Sequence, residues 1–302
     1  MQVGLMAPQG WKGEYDGWDP AEAWQRTIEL AGHAEELGFE SLWVFDHFHT
    51  VPEPTDEITF ESFSVLSALA MVTKRVRLGH MVVCTGFRNP AHTAKLSSTI
   101  DVISGGRFEL GIGAGWKKDE WLAYGYGFPP IGERMDAFGD DLEVITRMLA
   151  PGRATYEGRH AHVRNAINVP KGIQQPRIPI LVAAHRPRML RIAARYADQW
   201  DTFAEIPGAA TDGVTSGLAD QLRALDHACA AIGRDPSEIR RSTWATADVW
   251  RSEASYLDFV RHHQRIGFTD LTTVLPGADR MPLLRHVATE VLPALRDGSR
   301  SA

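Results

Sequence analysis

Eight short apolar segments with strand character alternate along this chain with eight segments of helical periodicity. Strands that alternate with helices are joined by right-handed crossovers and form a parallel sheet. The predicted strands are residues 3–8, 41–48, 76–84, 107–115, 178–184, 199–204, 240–250 and 270–275. The predicted helices are residues 19–37, 60–72, 89–103, 134–149, 188–196, 214–232, 254–266 and 282–291.

Eight strand–helix units in 302 residues match the (β/α)8 barrel, or TIM barrel. Residues 151–177, after the fourth helix, form a segment longer than a usual connection, and we predict an irregular insertion there. The fold class is therefore α/β, with a single barrel domain over residues 1–302.

The glycine-rich stretch SGGRFELGIGAGWKKDEW, residues 104–121, distinguishes this barrel from a doubly wound dinucleotide-binding sheet. Such a sheet places its Gly-x-Gly-x-x-Gly turn after the first strand, with a helix directly behind it. Here Gly111, Gly113 and Gly115 follow the fourth strand, the third glycine comes one residue early, and no helix is predicted at once. We interpret the stretch as a strand end where a flat ligand lies close to the backbone, because a Cβ would block it.

Charge and composition exclude several classes of protein. The net charge of −6 gives no general attraction to nucleic acid or anionic membranes. Cys84 and Cys229 have no Cys-x-x-Cys partner, so neither a disulfide framework nor a zinc site is expected, and no other metal-ligand spacing is present. The N-terminus does not have the pattern of a signal peptide, and no apolar run reaches the roughly 20 residues that span a bilayer. We expect a cytoplasmic protein, a homodimer, that acts on a small molecule.

Several motifs together resemble the bacterial-luciferase-like flavin and deazaflavin oxidoreductases. They are ELGFESLWVFDHF, LSALAMVTKRVRLGHMV, RNPAHTAKLSSTIDVISGGRFELGIGAGWKKDEW and PRIPILVAAHRPRMLRIAARYADQWDT. The resemblance runs in order from Gly4 to Phe203. The FRNPAHTAK and GIGAGW forms are most similar to the branch that uses coenzyme F420, a deazaflavin. The resemblance implies an F420-dependent oxidoreductase that transfers a hydride between F420 and a small organic substrate.

The resemblance implies catalytic roles for two residues at the end of the second strand. His47 would handle the proton, and Asp46 would lie beside the flavin-type ring, at the face where barrel enzymes place their chemistry. The alternative is a helix-capping aspartate followed by a solvent-facing histidine. Glu120 could serve as an acid near the pocket, but a charged side chain in a helical turn is usually solvated, and we favour that interpretation.

The resemblance also implies where the ring of the cofactor lies. Met81 and Val82 would support its back through a non-prolyl cis peptide, with an ordinary buried strand pair as the alternative. His80 is expected to pack against its neighbours. The backbone groups of Gly113, Ala114 and Gly115 would line the edge of the ring. FMN-using members can carry an arginine within this run, so Ala114 favours F420 over FMN.

This chain departs from the family pattern at two places, one that bears on the choice of substrate and one that bears on the binding of the cofactor's tail. Some F420-dependent sugar-phosphate dehydrogenases have a glutamate where this chain has Trp116, which argues against that substrate. After the fifth strand, Ala183 and Ala184 replace the usual glycines, and His185 and Arg186 follow them. Because helix N-termini bind anions, we predict that residues 183–186 bind the phosphate of the cofactor tail; simple helix capping is the alternative.

Two other functions remain open. An FMN-dependent monooxygenase would use the same fold with a reduced flavin that reacts with oxygen. A non-catalytic flavin-binding barrel would retain the fold without the chemistry.

Overall fold

Eight parallel strand positions close into a barrel in the computed structural model, which describes residues 1–205 and 217–299 of the chain. The strands of the described residues are β1 (Gln2–Met6), β2 (Ser41–Val44), β3 (Arg77–His80), β4 (Val83–Cys84), β5 (Phe108–Gly113), β6 (Ala154–Glu157), β7 (His162–Ala166), β8 (Ile180–Ala183), β9 (Gln199–Phe203), β10 (Arg240–Ala245) and β11 (Asp270–Val274). Hydrogen bonding runs from β3 through β2, β1, β11, β10, β9 and β8 to β5. Pairing of β3 with β5 closes the ring, and β4 continues the third barrel position. The predicted (β/α)8 barrel is confirmed.

Helices form the outer layer of the barrel. In the described residues they are α1 (Pro20–Glu36), α2 (Ser62–Val72), α3 (Pro90–Ser104), α4 (Lys118–Ala123), α5 (Ile131–Leu149), α6 (Pro187–Tyr196), α7 (Leu218–Ala230), α8 (Glu253–Arg265), α9 (Met281–His286) and α10 (Leu292–Ser299). Asp19 and Asn89 cap α1 and α3 with their side-chain oxygens, and a proline follows each of them, as is common at helix starts. The start predicted for the seventh helix, Val214, lies outside the described residues.

The segment predicted to be an irregular insertion contains an antiparallel hairpin. β6 and β7 pair with each other after α5 and do not join the barrel. Tyr156 on β6 donates a 2.6 Å hydrogen bond to Asp140 on α5, which joins the hairpin to the helix layer. The sequence did not reveal these strands because most of their residues are exposed, so little hydrophobic alternation marks them.

Alternation along β2 determines which side chains reach the inside of the barrel. Trp43 and Phe45 belong to a small buried cluster with Met6, Trp11 and Met81. Leu42 and Val44 instead pack in the large core beneath the helices. Because successive side chains of a strand point to opposite faces, the chain that leaves β2 places neighbouring residues on opposite sides of the barrel wall.

Candidate active site

His47 forms a pair with a buried carboxylate at the C-terminal end of the barrel. Its Nδ1 lies 2.9 Å from Oε2 of Glu120, a residue 73 positions later in the chain. The other carboxylate oxygen, Oε1, accepts a 2.6 Å hydrogen bond from the backbone N–H of Phe48. Glu120 is only 1% exposed. The interpretation of Glu120 as a solvated charge is therefore wrong, because the short helix α4 turns this side chain inward against β2.

The carboxylate determines how the imidazole of His47 can react. A carboxylate only accepts hydrogen bonds, so it selects the tautomer with the proton on Nδ1 and leaves Nε2 as an acceptor. The same partner stabilises the imidazolium when Nε2 takes up a proton, as the third member of a catalytic triad does. The side chain of His47 is 13% exposed, so it is held in place and still reachable.

A row of aromatic rings extends from His47 across the barrel mouth. Trp11 stacks near His47 with ring centroids 6.0 Å apart, and the ring centroid of Phe45 lies 3.7 Å from that of Trp11. Trp244 continues the row 5.3 Å from Phe45, and Phe203 follows 5.2 Å from Trp244. These rings come from four different loops and strands, and together they form one apolar wall.

The far end of the aromatic row is His185, and Trp116 lies beside its start. His185 stacks on Phe203 with ring centroids 4.7 Å apart. Trp116 and His47 meet in a T-shaped, edge-on arrangement with ring centroids 6.1 Å apart. Trp116 is 64% exposed and Phe203 is 49% exposed. The fold therefore brings the predicted residues His47 and His185 to opposite ends of one apolar wall that has open edges.

Asp46, next to His47 in the chain, has a separate set of contacts. Its carboxylate accepts hydrogen bonds from Arg88 Nη1 at 2.6 Å and Nη2 at 2.8 Å. Ser62 Oγ donates at 2.8 Å and the Cys84 N–H at 2.9 Å. Burial raises the pKa of Asp46, and the Arg88 guanidinium opposes this effect. Through these contacts the carboxylate ties together β2, α2, β4 and the turn before α3, and its place beside the ring stays a prediction.

The peptide between Met81 and Val82 is cis, as the resemblance implied. This peptide lies between the end of β3 and the start of β4. Met81 is buried in the inner cluster, and Val82 packs on its edge. His80, next to them, is fully buried with its ring 4.3 Å from Phe63 and 5.8 Å from Phe108. Burial lowers the pKa of His80 well below its ordinary value, so this histidine packs in the core as predicted.

The glycine run is explained by packing of the protein against itself. A Cβ on Gly111 would collide with the carbonyl oxygen of His80, and one on Gly113 would lie 2.9 Å from Val82. Gly115 has a positive φ of 72°, and a Cβ there would meet Cys84 and Trp121. Close approach of β3, β4 and α4 therefore requires these glycines, and the contact with a flat ligand inferred from the sequence stays a prediction.

His185 and Arg186 follow β8 as predicted, but their electrostatic states differ. His185 Nδ1 lies 2.9 Å from Thr202 Oγ1, which in turn donates to Gln221. Burial and the neighbouring Arg186 lower the pKa of His185 to about 4. The imidazole is therefore neutral near pH 7, with Nε2 left as an acceptor.

Arg186 is the residue that precedes α6, and it is exposed. Its side chain makes no capping hydrogen bond in the described part of the chain, which does not support simple capping. Ala184 is buried, and its carbonyl accepts a 2.8 Å hydrogen bond from Trp200. Ala183 and Ala114 are partly exposed. Arg186 and the open first turn of α6 thus present donors suited to an anion.

The structure reveals site residues that sequence reasoning missed. Arg88 was part of the quoted family motif, but its partner Asp46 lies 42 positions earlier. Arg134 donates a 2.7 Å hydrogen bond to the carbonyl of Gly115 and lies 4.0 Å above the ring of Phe128. No local spacing signals the Arg88–Asp46 pair, because it joins different barrel units.

Comparison with known proteins identifies the family. The sequence model of the family described as luciferase-like monooxygenase matches residues 1–291. The chain belongs to the luciferase-like family. One relative in this family is the F420-dependent glucose-6-phosphate dehydrogenase of Intrasporangium calvum, 28% identical over 96% of this chain and 99% of that protein. Another is the pyrimidine monooxygenase RutA of Stutzerimonas stutzeri, 30% identical over 78% of this chain and 65% of that protein.

A solved structure from the same comparisons supports the luciferase-like fold. An F420-dependent secondary alcohol dehydrogenase, solved with an F420–acetone adduct, superposes with a TM-score of 0.74. The two chains share 18% identity, and the match covers 90% of this luciferase-like protein and 92% of the other. At this identity the comparison concerns the barrel architecture alone.

Two features are absent from the described residues. None of their helices is long and apolar enough to cross a membrane. Within the same residues, no three His, Cys, Asp or Glu side chains converge in a way that could hold a metal ion.

Proposed function

We propose that this protein is an F420-dependent oxidoreductase that transfers a hydride between F420 and a small organic substrate. The observation that carries the proposal is the His47–Glu120 pair at the mouth of a luciferase-like barrel. Glu120 fixes Nδ1 of the histidine, and Nε2 has no hydrogen-bond partner among the described residues. Relatives described as F420-dependent dehydrogenases, such as that of Intrasporangium calvum, support the choice of cofactor. They also make the non-catalytic alternative the weakest of the three.

The residues present fit the two ends of such a cofactor. At one end, Arg186 and the uncapped start of α6 offer donors to a phosphate. At the other end, the inner cluster around Met81 and Val82 offers an apolar surface for a flat ring. When bound, F420 would accept or donate a hydride through C5 of its deazaflavin ring.

His47 would move the proton that accompanies the hydride. In substrate oxidation, the free Nε2 takes the proton of a substrate hydroxyl, and in reduction it returns a proton to the substrate oxygen. Glu120 holds the imidazole in the required tautomer and is a positioning residue. Asp46 acts one step further away: together with Arg88 it keeps the end of β2 and the start of α3 in register. The aromatic wall excludes water from the reacting atoms.

The main alternative is an FMN-dependent monooxygenase, and the relationship to the pyrimidine monooxygenase RutA keeps it open. We expect the protein to bind F420 at least about tenfold more tightly than FMN, a difference of about 1.4 kcal/mol, because residue 114 is alanine where FMN-using members can carry an arginine. Titration of the purified protein with each cofactor, followed by fluorescence, measures both dissociation constants. Tighter binding of FMN would overturn the assignment in favour of the monooxygenase.

A second prediction concerns the anchor for the cofactor's phosphate. Arg186→Ala should weaken F420 binding by about 10-fold, since a hydrogen bond to a charged group contributes roughly 1.5–3 kcal/mol and this one is exposed. Binding of the deazaflavin fragment that lacks the phosphate should stay unchanged. Isothermal titration of both ligands separates the two effects, and His185→Gln is a control that removes no charge at pH 7. Equal losses for both ligands would show that Arg186 does not contact the phosphate.

A further inference from the structure

Trp116 has an anchored backbone and an exposed ring at the mouth of the barrel. On one side of it, Arg134 donates a 2.7 Å hydrogen bond to the carbonyl of Gly115. On the other side, Lys117 donates to the carbonyl of Pro52. The side chain between these anchors is 64% exposed, the highest value among the nine tryptophans, all of which lie in the described part of the chain. The fold therefore fixes the position of this ring without burying it.

The exposed ring lies at the His47 end of the aromatic wall. Among the described residues, the one ring that it contacts is that of His47, and the two ring planes are 84° apart. At the other end of the wall, Phe203 is 49% exposed. Single exposed apolar side chains are common on protein surfaces, but two that flank one apolar wall beside an acid–base residue are typical of a ligand pocket. The faces of Trp116 and Phe203 are thus available to a substrate.

The charged groups next to this wall disfavour an anionic substrate. Lys117 is paired with Asp119 at 2.7 Å. Lys12 places its Nζ 4.8 Å above the ring of Trp11, so the protein itself engages this cation as well. Glu120 adds a buried negative charge 2.9 Å from the imidazole. Because charges interact strongly where little water screens them, a phosphate or carboxylate close to the imidazole would be repelled.

We propose that the substrate is an uncharged aryl alcohol, or the matching aryl ketone, whose flat ring stacks on Trp116. The proposal rests on the proposed function, since it names the substrate class of the same site. In oxidation, the carbon that bears the hydroxyl loses a hydride to F420 and the hydroxyl proton goes to Nε2 of His47, which leaves the ketone. Aromatic rings pair favourably in offset stacks. A ring stacked on Trp116 also stands nearly perpendicular to the imidazole, so a substituent in its plane can point at Nε2.

The test compares three alcohols that share the reacting group and differ in the rest of the molecule. They are 1-phenylethanol, which has a flat ring, 1-cyclohexylethanol, which has a puckered ring of equal carbon count, and 2-propanol, which has no ring. In wild type, kcat/KM for 1-phenylethanol should exceed that for 1-cyclohexylethanol about fivefold, because stacking adds to the burial of apolar area. Glucose 6-phosphate, which is charged and has no flat ring, should be a poorer substrate than 1-phenylethanol.

Trp116→Ala should lower the ratio of kcat/KM for 1-phenylethanol to that for 2-propanol by about tenfold, mainly through KM, since both the stacking and the apolar area of the indole are lost. Trp116→Phe keeps a flat ring and should retain most of the ratio. Trp18→Ala is the matched control: this tryptophan is 45% exposed and contacts Tyr15, and its removal should leave the ratio unchanged. Calorimetric titration of acetophenone into the complex with oxidised F420, where no turnover occurs, should show weaker binding to Trp116→Ala by a similar factor.

The outcomes separate this proposal from the proposed function. A ratio that stays constant in Trp116→Ala, or a preference of wild type for 1-cyclohexylethanol or glucose 6-phosphate, would overturn the substrate class while F420 remains the cofactor. Weaker binding of F420 to Trp116→Ala with a constant ratio would overturn it too, since the indole would then contact the cofactor. If F420 binds and no aryl alcohol or ketone reacts, the substrate class is wrong. If F420 does not bind, the proposed function fails and the substrate class fails with it. Circular dichroism checks that each variant is folded, and Trp116→Phe keeps the test decisive if alanine disturbs the loop.

Discussion

Replacement of His47 by alanine is expected to lower the rate of hydride transfer by about 10²–10⁴-fold, the usual effect of removing one acid–base group. F420 should remain bound, because we assign its ring and tail to residues of other strands and helices. The free Nε2 disappears in this variant, and neither Glu120 nor the aromatic wall can replace it. Single-turnover absorbance of F420 measures the rate, and titration measures affinity separately. A panel of alcohols, aldehydes and enones first identifies a substrate for turnover.

Glu120→Gln is the matched variant for this prediction. It keeps the shape of the side chain and the acceptor for the Phe48 N–H, but it removes the negative charge beside His47. We expect a smaller loss of rate than in His47→Ala and a change in the pH profile, since the imidazolium loses its partner. A His47→Ala rate within about threefold of wild type would show that His47 does not handle the proton. A collapse of F420 affinity would instead make it a binding residue.

Removal of Arg88 is expected to destabilise the fold by about 3–5 kcal/mol, because it leaves a buried carboxylate without its cation. Arg88 is 12% exposed and holds both oxygens of Asp46. Urea unfolding of Arg88→Met, which retains the apolar stem, measures the loss. Arg223→Ala, an arginine 72% exposed and paired with Asp220, should cost less than about 1 kcal/mol. The double variant Asp46→Asn, Arg88→Met should recover part of the loss.

The loss of unfolding free energy in Arg88→Met should also depend on pH, and it should grow as the pH rises. Burial raises the pKa of Asp46 in the folded protein, and without Arg88 nothing of comparable strength opposes this effect. The unfolded carboxyl titrates near about 3.9. As pH rises above that value, the unfolded chain releases its proton while the folded variant retains it, so unfolding is favoured. The deficit of Arg88→Met relative to wild type should therefore be larger at pH 8 than at pH 5. A pH-independent deficit would contradict an uncompensated Asp46 charge.

The sequence by itself determined the architecture and predicted where the chemistry lies. Strands of period two alternate with helices of period 3.6, and that pattern can close as a barrel without any knowledge of distant contacts. The place of His47 follows from the same reasoning, because the C-terminal ends of the barrel strands are the catalytic face. The motifs of the family added the cis peptide at Met81–Val82, which neither composition nor periodicity indicates.

Only the tertiary structure decided which partners these residues have. Glu120 is separated from His47 by 73 positions and Arg88 from Asp46 by 42, so their pairing depends on how whole barrel units pack, which no local pattern reports. The pKa of His185 near 4 likewise arises from burial against residues of another strand. The glycines show the same limit. Their spacing is visible in the sequence, but the atoms that exclude a Cβ belong to His80, Val82 and Cys84, and only the folded chain brings them there.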